Sequence, residues 1–430
     1  MSDPIIPFLA ERDHPLRRAL TEEMHVRRFP ALTAPLRMTQ LVMLTGEERI
    51  DALGADAAAL FDAYGVKVPP KARYFTAQIG ELHLVWEQHT EFSTYSFART
   101  GAFDDPFGEP TLADVPADWL DAMPGRVLRA TQVSFLGRRA PPPVEADLRR
   151  WFSYDELVCC DVFGGEARIW SDFHLGPDGL GRLLIQDQGL ASGADTGRLV
   201  QRLQELGNYR NMALLGLPVA QSLTPTLSAL ERRLAELSRQ IAERDGSEDT
   251  LLHELSSLSA ELAQLMAETR YRMSATRAYA QLVQDRARNL GVHRVAGFQT
   301  LIDFTERRLT PAVRTCESFS QRAEDLSERA SWASSLLRAR IETTLERQST
   351  ELLQSMNRRA QMQLRLQQTV EGLSVLAISY YAIGILGYAT KSANHVWPWI
   401  DPTLPLGIAA PFVVAAVWYS IRRLRKKMSD

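Results

Sequence analysis

The chain has 430 residues, of which 45% are hydrophobic and 23% charged, with a formal net charge of −3. Such a chain can bury the cores of two or three domains, and its charge does not favour a nucleic-acid-binding protein, which is usually strongly basic. The three cysteines, Cys159, Cys160 and Cys316, are too few for a disulfide framework or a zinc ligand set, and they indicate a reducing compartment.

Residues 1–193 predict a cytoplasmic α/β domain. Helix-like stretches lie around residues 14–24, 46–63 and 144–151. The strand-like runs are Leu36–Thr45, Tyr74–Ile79, Leu82–Trp86, Phe92–Phe97, Val127–Phe135, Glu156–Phe163, Ala167–His174 and Gly181–Gln186. Gly80-Glu81 and Gly164-Gly165 offer tight turns between neighbouring runs. We therefore expect a mostly antiparallel sheet packed with helices.

Four histidines of this domain are candidate metal ligands, because imidazole and nearby carboxylates could together bind a divalent cation. They are His14, His25, His83 and His89. Their spacing matches no compact ligand motif, and on a straight strand His83 and His89 would lie about 20 Å apart. Structural or surface roles are the alternative. The sequence has no nucleophile-elbow, phosphate-loop or zinc-peptidase motif, so it identifies no catalytic residue and does not predict an enzyme.

Residues 194–370 predict a helical stalk or coiled-coil region. Two series of apolar residues step by three and four, as on an amphipathic helix: Leu227, Leu230, Leu234, Leu237 and Ile241, then Leu251, Leu255, Leu258, Leu262 and Leu265. Thr224-Pro225 predicts a helix start, Asp245-Gly246-Ser247 a break and Asn289-Leu290-Gly291 a stop. These signals predict an antiparallel helical pair over residues 225–290.

The stretch from Ala312 to Glu371 contains neither glycine nor proline in 60 residues. It predicts one long helix that continues directly into the apolar segment that follows. A single helix cannot bury its apolar face alone, so we expect the preceding helices, or further copies of the chain, to cover it.

Residues 371–430 predict a transmembrane hairpin with a basic C-terminal tail. Segments 372–390 and 404–421 carry no charged residue. At about 1.5 Å per residue, each is nearly long enough to span the ~30 Å hydrocarbon layer. Arginines precede the first segment and Arg422–Lys427 follow the second, so the positive-inside rule places the N-terminal domain and the C-terminus in the cytoplasm. Two buried core helices are the alternative.

Three residues of the first segment recur every seven positions and so share one stripe of a helix: Ser374, Tyr381 and Tyr388, with Gly384 close by. They could line a pore. The alternative is helix packing, since small residues let helices approach closely and tyrosines are common at membrane interfaces.

The order of parts is an α/β domain, a stalk helix that continues as the first transmembrane helix, and a second transmembrane helix ending in Ile421–Lys427. This order resembles the CorA-type magnesium channels, the two-transmembrane GxN superfamily. The resemblance implies a homo-oligomer, a pentamer in that family, whose first transmembrane helix lines the pore. The family's Gly-Met-Asn is absent: its place reads Gly387-Tyr388-Ala389-Thr390, and the nearest asparagine, Asn394, joins the candidate pore residues.

The sequences of several segments are also similar to those of an uncharacterised family of bacterial membrane-anchored proteins of unknown function. The segments are His14-Pro15, Glu23-Met24-His25, His89–Phe92, Tyr209–Pro218 and Val370–Ser374. This resemblance implies a bacterial inner-membrane setting and no particular activity. Our leading hypothesis is a CorA-like homo-oligomer in the lipid bilayer that conducts or senses ions. The alternative is a membrane-tethered scaffold or sensor whose cytoplasmic domain binds a soluble partner.

Overall fold

The computed structural model describes residues 12–17, 20–21, 31–45, 61–62, 65–68, 72–394 and 403–428. The chain divides into two compact units. The sheet unit comprises Met1–Gly246 and His253–Trp332, and the hairpin unit comprises Ser247–Leu252 and Ala333–Asp430.

The sheet unit contains a nine-stranded sheet in the order β2-β3-β4-β1-β5-β8-β7-β6-β9. The strands are β1 Leu36–Leu44, β2 Tyr74–Ile79, β3 Leu82–Gln88, β4 Phe92–Thr100, β5 Arg126–Leu136, β6 Val158–Val162, β7 Ala167–Ser171, β8 Gly181–Asp187 and β9 His293–Arg294. All eight predicted strands are present. Neighbouring strands pair antiparallel except β5 and β8, which are parallel, so the predicted mostly antiparallel sheet is confirmed.

Glycines form the two predicted tight turns. Gly80 connects β2 to β3 with φ of 57°, and Gly164 and Gly165 connect β6 to β7 with φ of 70° and 97°. Glycine adopts this left-handed conformation without the steric cost that a Cβ atom imposes. The turns therefore follow directly from the local sequence.

Two short helices lie between strands of the sheet, and the long helices come after β8 in the chain. We number the helices α1 Ala117–Asp121, α2 Glu145–Trp151, α3 Gly193–Leu214, α4 Gly216–Glu243, α5 Glu248–Arg288, α6 Leu301–Asn394 and α7 Thr403–Met428. The predicted helix at 144–151 is α2, and the predicted breaks after α4 and α5 are confirmed. The uninterrupted helix predicted from Ala312 is also confirmed, as part of the 94-residue α6. Predicted helices 14–24 and 46–63 lie largely outside the described residues.

The predicted helix start at Thr224-Pro225 is wrong, because α4 begins at Gly216 and runs through Pro225. The Thr224 hydroxyl donates to the Ala220 carbonyl oxygen at 2.6 Å, a contact that occurs inside helices rather than at their first residue. Ala220 and Leu227, on either side of the proline, are both fully buried. Because the buried face continues across Pro225, packing outweighs the backbone hydrogen bond that proline removes.

Hydrophobic clusters cover both faces of the sheet. On one face, alternate residues of β1, β5, β7 and β8 pack against α3 and the beginning of α6, through Met38, Val42, Val133, Phe135, Ile169, Ile185, Leu199, Leu203, Leu206, Met212, Phe304 and Leu309. The opposite face carries two clusters, built around Trp86, Tyr95, Phe97 and Trp119 and around Phe107, Phe152, Trp170 and Leu184. Each large apolar side chain that is fully buried contributes about 1.5–3 kcal/mol. The first cluster thus holds α3 against the sheet.

Two helical runs of the described residues are long and apolar enough to cross a membrane, judged by length and composition: Gly193–Glu243 and Leu301–Ser392. The core helix of a soluble protein satisfies the same criteria, and α3, in the first run, lies in the core of the sheet unit. The apolar window is 28% buried in the first run and 6% buried in the second. The predicted second segment, residues 404–421, lies in α7. The described residues of α7 are not part of either of these two runs.

Candidate functional site

One side of the apolar segment of α6 faces α7 within the hairpin unit. Ser379 is only 3% exposed, although its neighbours along the helix are exposed. A Cβ atom placed on Gly387 would lie 3.6 Å from Cδ2 of Leu406 in α7. Ser379, Ile383 and Gly387 are four residues apart, so they form one side of the helix, and that side packs against α7.

The stripe of Ser374, Tyr381 and Tyr388 lies on the other side of α6. At about 100° per residue, its centre is roughly 160° around the helix from the α7-facing side. Tyr381 is 69% exposed and Tyr388 is 76% exposed. A Cβ atom on Gly384 would meet nothing within 4 Å. The contact with α7 therefore leaves the stripe uncovered in the single chain. The side chain of Asn394, the last residue of α6, lies outside the described part of the structure.

The structure places the candidate metal ligands in different surroundings. His14 is exposed and its Nδ1 accepts a hydrogen bond from the Leu16 amide at 3.2 Å, whereas His25 lies outside the described residues. His83 is half-buried on β3, and burial lowers its pKa. His89 stacks on Phe92 at 4.2 Å between ring centroids. In the described part of the chain no group of three or more His, Cys, Asp or Glu residues could hold a metal ion.

A buried polar layer joins the sheet to α3, and the sequence reasoning missed it. It consists of Gln40 on β1, Ser96 on β4, Arg129 on β5, and Gln204 and Asn208 on α3. Arg129 Nη1 donates to the side-chain oxygens of Gln204 at 2.6 Å and Asn208 at 2.8 Å. The Asn208 amide donates to Gln40 Oε1 at 3.0 Å, and the Gln40 amide donates to Ser96 Oγ at 3.0 Å. Such a connected network fixes the position of α3 on the sheet.

A second polar contact joins the sheet to α5. Glu91, between β3 and β4, is buried and forms an ion pair with Arg272. Tyr279, two turns further along α5, stacks on Tyr209 of α3 at 5.9 Å. Burial raises the pKa of Tyr279, and the nearby charge of Glu91 raises it further. Its hydroxyl therefore remains protonated at neutral pH.

One signal in the sequence could have identified Arg129. Arg129, Thr131, Val133 and Phe135 alternate along β5, and Val133 and Phe135 are fully buried. Because residues two apart on a strand share a face, a charged residue in phase with buried ones is unusual. Gln204 and Asn208 give no comparable signal, since polar residues are ordinary on an amphipathic helix.

A family model described as "Protein of unknown function (DUF3422)" matches residues 12–428. The chain belongs to the DUF3422 family. No curated protein and no solved structure matches it. Membership confirms the predicted uncharacterised family, and the family's description names no activity. For this DUF3422 protein the CorA-like architecture therefore stays a prediction.

The cysteines of this DUF3422 protein offer no activated nucleophile among the described residues. All three are free and buried. Burial raises the pKa of Cys159 to about 12 and that of Cys160 to about 11. Reaction at cysteine requires the thiolate, which such pKa values make scarce at neutral pH.

Proposed function

We propose that this protein is a membrane-anchored homo-oligomer that conducts or senses ions, with α6 and α7 crossing the bilayer as a hairpin. The observation that supports the proposal is the segment 372–390 of α6, which has no charged residue and exposes large apolar side chains such as Leu373, Leu376 and Ile385. A helix surface of this kind is stable in a hydrocarbon layer and unfavourable in water.

The basic flanks of the hairpin support an orientation with both the N-terminal domain and the C-terminus in the cytoplasm. The bacterial inner membrane as the location is implied by the resemblance to the uncharacterised bacterial family. Reporters test this orientation. A reporter fused after Asp430 should be active in the cytoplasm, and one inserted near His395 should be active on the outer side. A C-terminal reporter active outside would contradict the orientation.

A homo-oligomer, with five copies by resemblance to CorA, would cover the surfaces that the single chain leaves exposed. Besides the stripe, α6 exposes Leu345, Leu352 and Leu366 between the sheet unit and the uncharged segment. Burying these leucines against further copies would be favourable by about 25 cal/mol per Å² of apolar area. Light scattering on the detergent-solubilised full chain should give a multiple of 48.3 kDa after subtraction of the detergent. A monomer in both detergent and nanodiscs would refute the oligomer.

Conduction requires that the stripe of Ser374, Tyr381 and Tyr388 face a central axis, where side-chain bulk and polarity control flux. Gly384→Phe should then reduce the flux of a monovalent or divalent cation into proteoliposomes by at least tenfold. Gly372→Phe is the matched control, because a Cβ atom there also meets nothing within 4 Å and Gly372 lies on the far side of the helix from the stripe. If the intact wild-type oligomer conducts no cation, conduction is refuted.

The second candidate function is a membrane-tethered sensor without transport. It is favoured by the absence of Gly-Met-Asn after the first apolar segment and by a cavity in the sheet unit whose charges suit a ligand. This function predicts ligand binding to the sheet unit in an oligomer that carries no ion flux, so the flux assay separates the two candidates.

A further inference from the structure

A cavity of about 390 Å³ lies between the sheet and α3 in the sheet unit. Its wall includes Arg129 of β5, Arg210 and Leu203 of α3, and Phe173 in the loop after β7. Val127 and Leu175 also line it and are 57% and 73% exposed, so the cavity opens to solvent on their side. Its volume is within the range of small-molecule binding sites.

Two guanidinium groups in this cavity have no carboxylate partner among the described residues. Within the described part of the chain, Arg129 donates to the neutral side-chain oxygens of Gln40, Gln204 and Asn208. Arg210 lies 4.6 Å from the centroid of the Phe173 ring, and its Nη1 is buried with no hydrogen-bond partner in the described residues. Neither arginine belongs to an ion pair among those residues.

Burial, reinforced by the charge of Arg210, lowers the pKa of Arg129 to about 9. Burial and the charge of Arg308 lower the pKa of Arg210 to about 10. Both values lie above 7, so both guanidinium groups are charged at neutral pH. Arg182 also lines the cavity, and it pairs with Asp178 at 3.9 Å. The cavity wall thus carries two further positive charges, on Arg129 and Arg210, that repel each other.

Four other partly buried arginines of the sheet unit are paired with acids. Arg168 pairs with Asp161, Arg272 with Glu91, Arg286 with Glu205 and Arg322 with Glu231. A buried charge without a partner is costly, because the protein interior does not replace its hydration. The two charges at Arg129 and Arg210, which share one cavity, are therefore explained if an anion from solution supplies the missing negative charge.

Gly207 on α3 lets the Arg129 guanidinium lie directly against the helix. A Cβ atom at position 207 would lie 2.7 Å from Nη2 and 2.8 Å from Cζ of Arg129. Arg210 and Asn211 lie three and four residues further along, on the same face of α3. Arg210 and Asn211 of the helix therefore line the same cavity as Arg129 of the sheet.

We propose that this cavity binds a small organic anion, whose phosphate or carboxylate group lies between Arg129 and Arg210 and whose apolar part packs against Leu203 and Phe173. Guanidinium groups bind both kinds of oxyanion through paired N–H donors. The apolar wall excludes a bare hydrated ion as the best-fitting ligand, because such an ion leaves that surface unused.

The test measures binding to the full-length protein in detergent by isothermal titration calorimetry and thermal unfolding. Phenyl phosphate and benzoate carry the two anionic groups on the same ring, and benzamide is the neutral comparison. Both anions should bind saturably and raise the unfolding temperature, whereas benzamide should do neither. No saturable binding of either anion, or equal binding of benzamide, would overturn the proposal.

Two variants locate the site, and a third is the matched control. Arg129→Gln and Arg210→Gln should each weaken binding of the better anion at least tenfold. Arg198→Gln removes a charge from the same helix at a residue that pairs with Asp195 and does not line the cavity, so it should leave affinity unchanged. Equal affinity in wild type and both cavity variants would place the anion elsewhere and refute the assignment.

Unliganded stability distinguishes a binding role from a merely structural one. Arg210→Gln removes a buried charge that lacks a counter-charge, so without anion its unfolding temperature should equal or exceed that of wild type. A lower unfolding temperature together with an unchanged response to the anions would mean that Arg210 serves the fold alone. These measurements involve no ion flux, so their outcome is independent of whether the hairpin conducts.

Discussion

Gly207→Ala tests how tightly α3 is fitted to the polar layer. The new Cβ atom would lie 2.7 Å from Nη2, 2.8 Å from Cζ and 2.9 Å from Nε of Arg129. Ordinary contacts of a Cβ atom begin at 3.4 Å, so the guanidinium or the helix has to move by about 0.7 Å, the difference between 3.4 and 2.7 Å. The arginine is not free to do so, because Gln204 and Asn208 both hold its Nη1.

The expected magnitude follows from two opposing effects. Overpacking of a well-fitted site costs about 1–3 kcal/mol. Replacing glycine by alanine inside a helix gains about 1 kcal/mol, because alanine loses less backbone freedom on folding. The net expectation is a loss of about 1 kcal/mol in the free energy of unfolding of the sheet unit. The same shift of the guanidinium should weaken binding of phenyl phosphate.

Whether Gly207→Ala stabilises or destabilises the sheet unit should depend on the presence of Arg129. Thermal unfolding and hydrogen exchange of the α3 amides are measured for Gly207→Ala in wild type and in an Arg129→Ala background. With the guanidinium removed, only the helix-propensity gain remains, so Gly207→Ala should become stabilising by about 1 kcal/mol. An equal effect in both backgrounds would refute the proposed steric coupling.

Three further predictions concern other parts of the chain. Gly216→Ala should destabilise the sheet unit by about 2–3 kcal/mol, because its Cβ atom would lie 2.2 Å from Thr276 Oγ1 of α5. Thermal unfolding measures the change in stability, and a variant more stable than wild type would contradict the prediction. Arg322 lowers the pKa of Glu231, so their pair stabilises the fold above the unfolded-state pKa of about 4.3 and loses this effect as the pH falls through the folded-state value. Glu231→Gln should therefore cost about 1 kcal/mol at pH 7, and its unfolding temperature should converge with that of wild type in acid. Leu345→Pro should cost about 3 kcal/mol of helix stability in α6 and disrupt the oligomer, whereas Leu345→Ala should leave the helix content unchanged. Circular dichroism and light scattering check the proline variant, and unchanged helix content and assembly in it would argue against a continuous helix.

Features with a local cause were predictable from the sequence. The strands are short runs rich in apolar residues, and Gly80 and Gly164 adopt left-handed conformations at the turns where two strands meet. Asp245-Gly246-Ser247 separates α4 from α5, because a break in a helix is set by the residues at the break. The prediction of a helix start at Thr224-Pro225 is wrong, because the local signal is outweighed by the packing of the buried face of α4, which continues across Pro225.

The sequence by itself determined the eight long strands, the unbroken run of α6 and the uncharged segment 372–390, because each depends on residue type and spacing over a short stretch. Only the tertiary structure decided which strands are neighbours, such as β1 between β4 and β5 and β8 beside β5. It also decided that Arg129 and Arg210, which are 81 positions apart, line one cavity. Periodicity records which face of an element is apolar. It does not record which distant face packs against it, since that choice depends on the shape and loop-closure entropy of the whole chain.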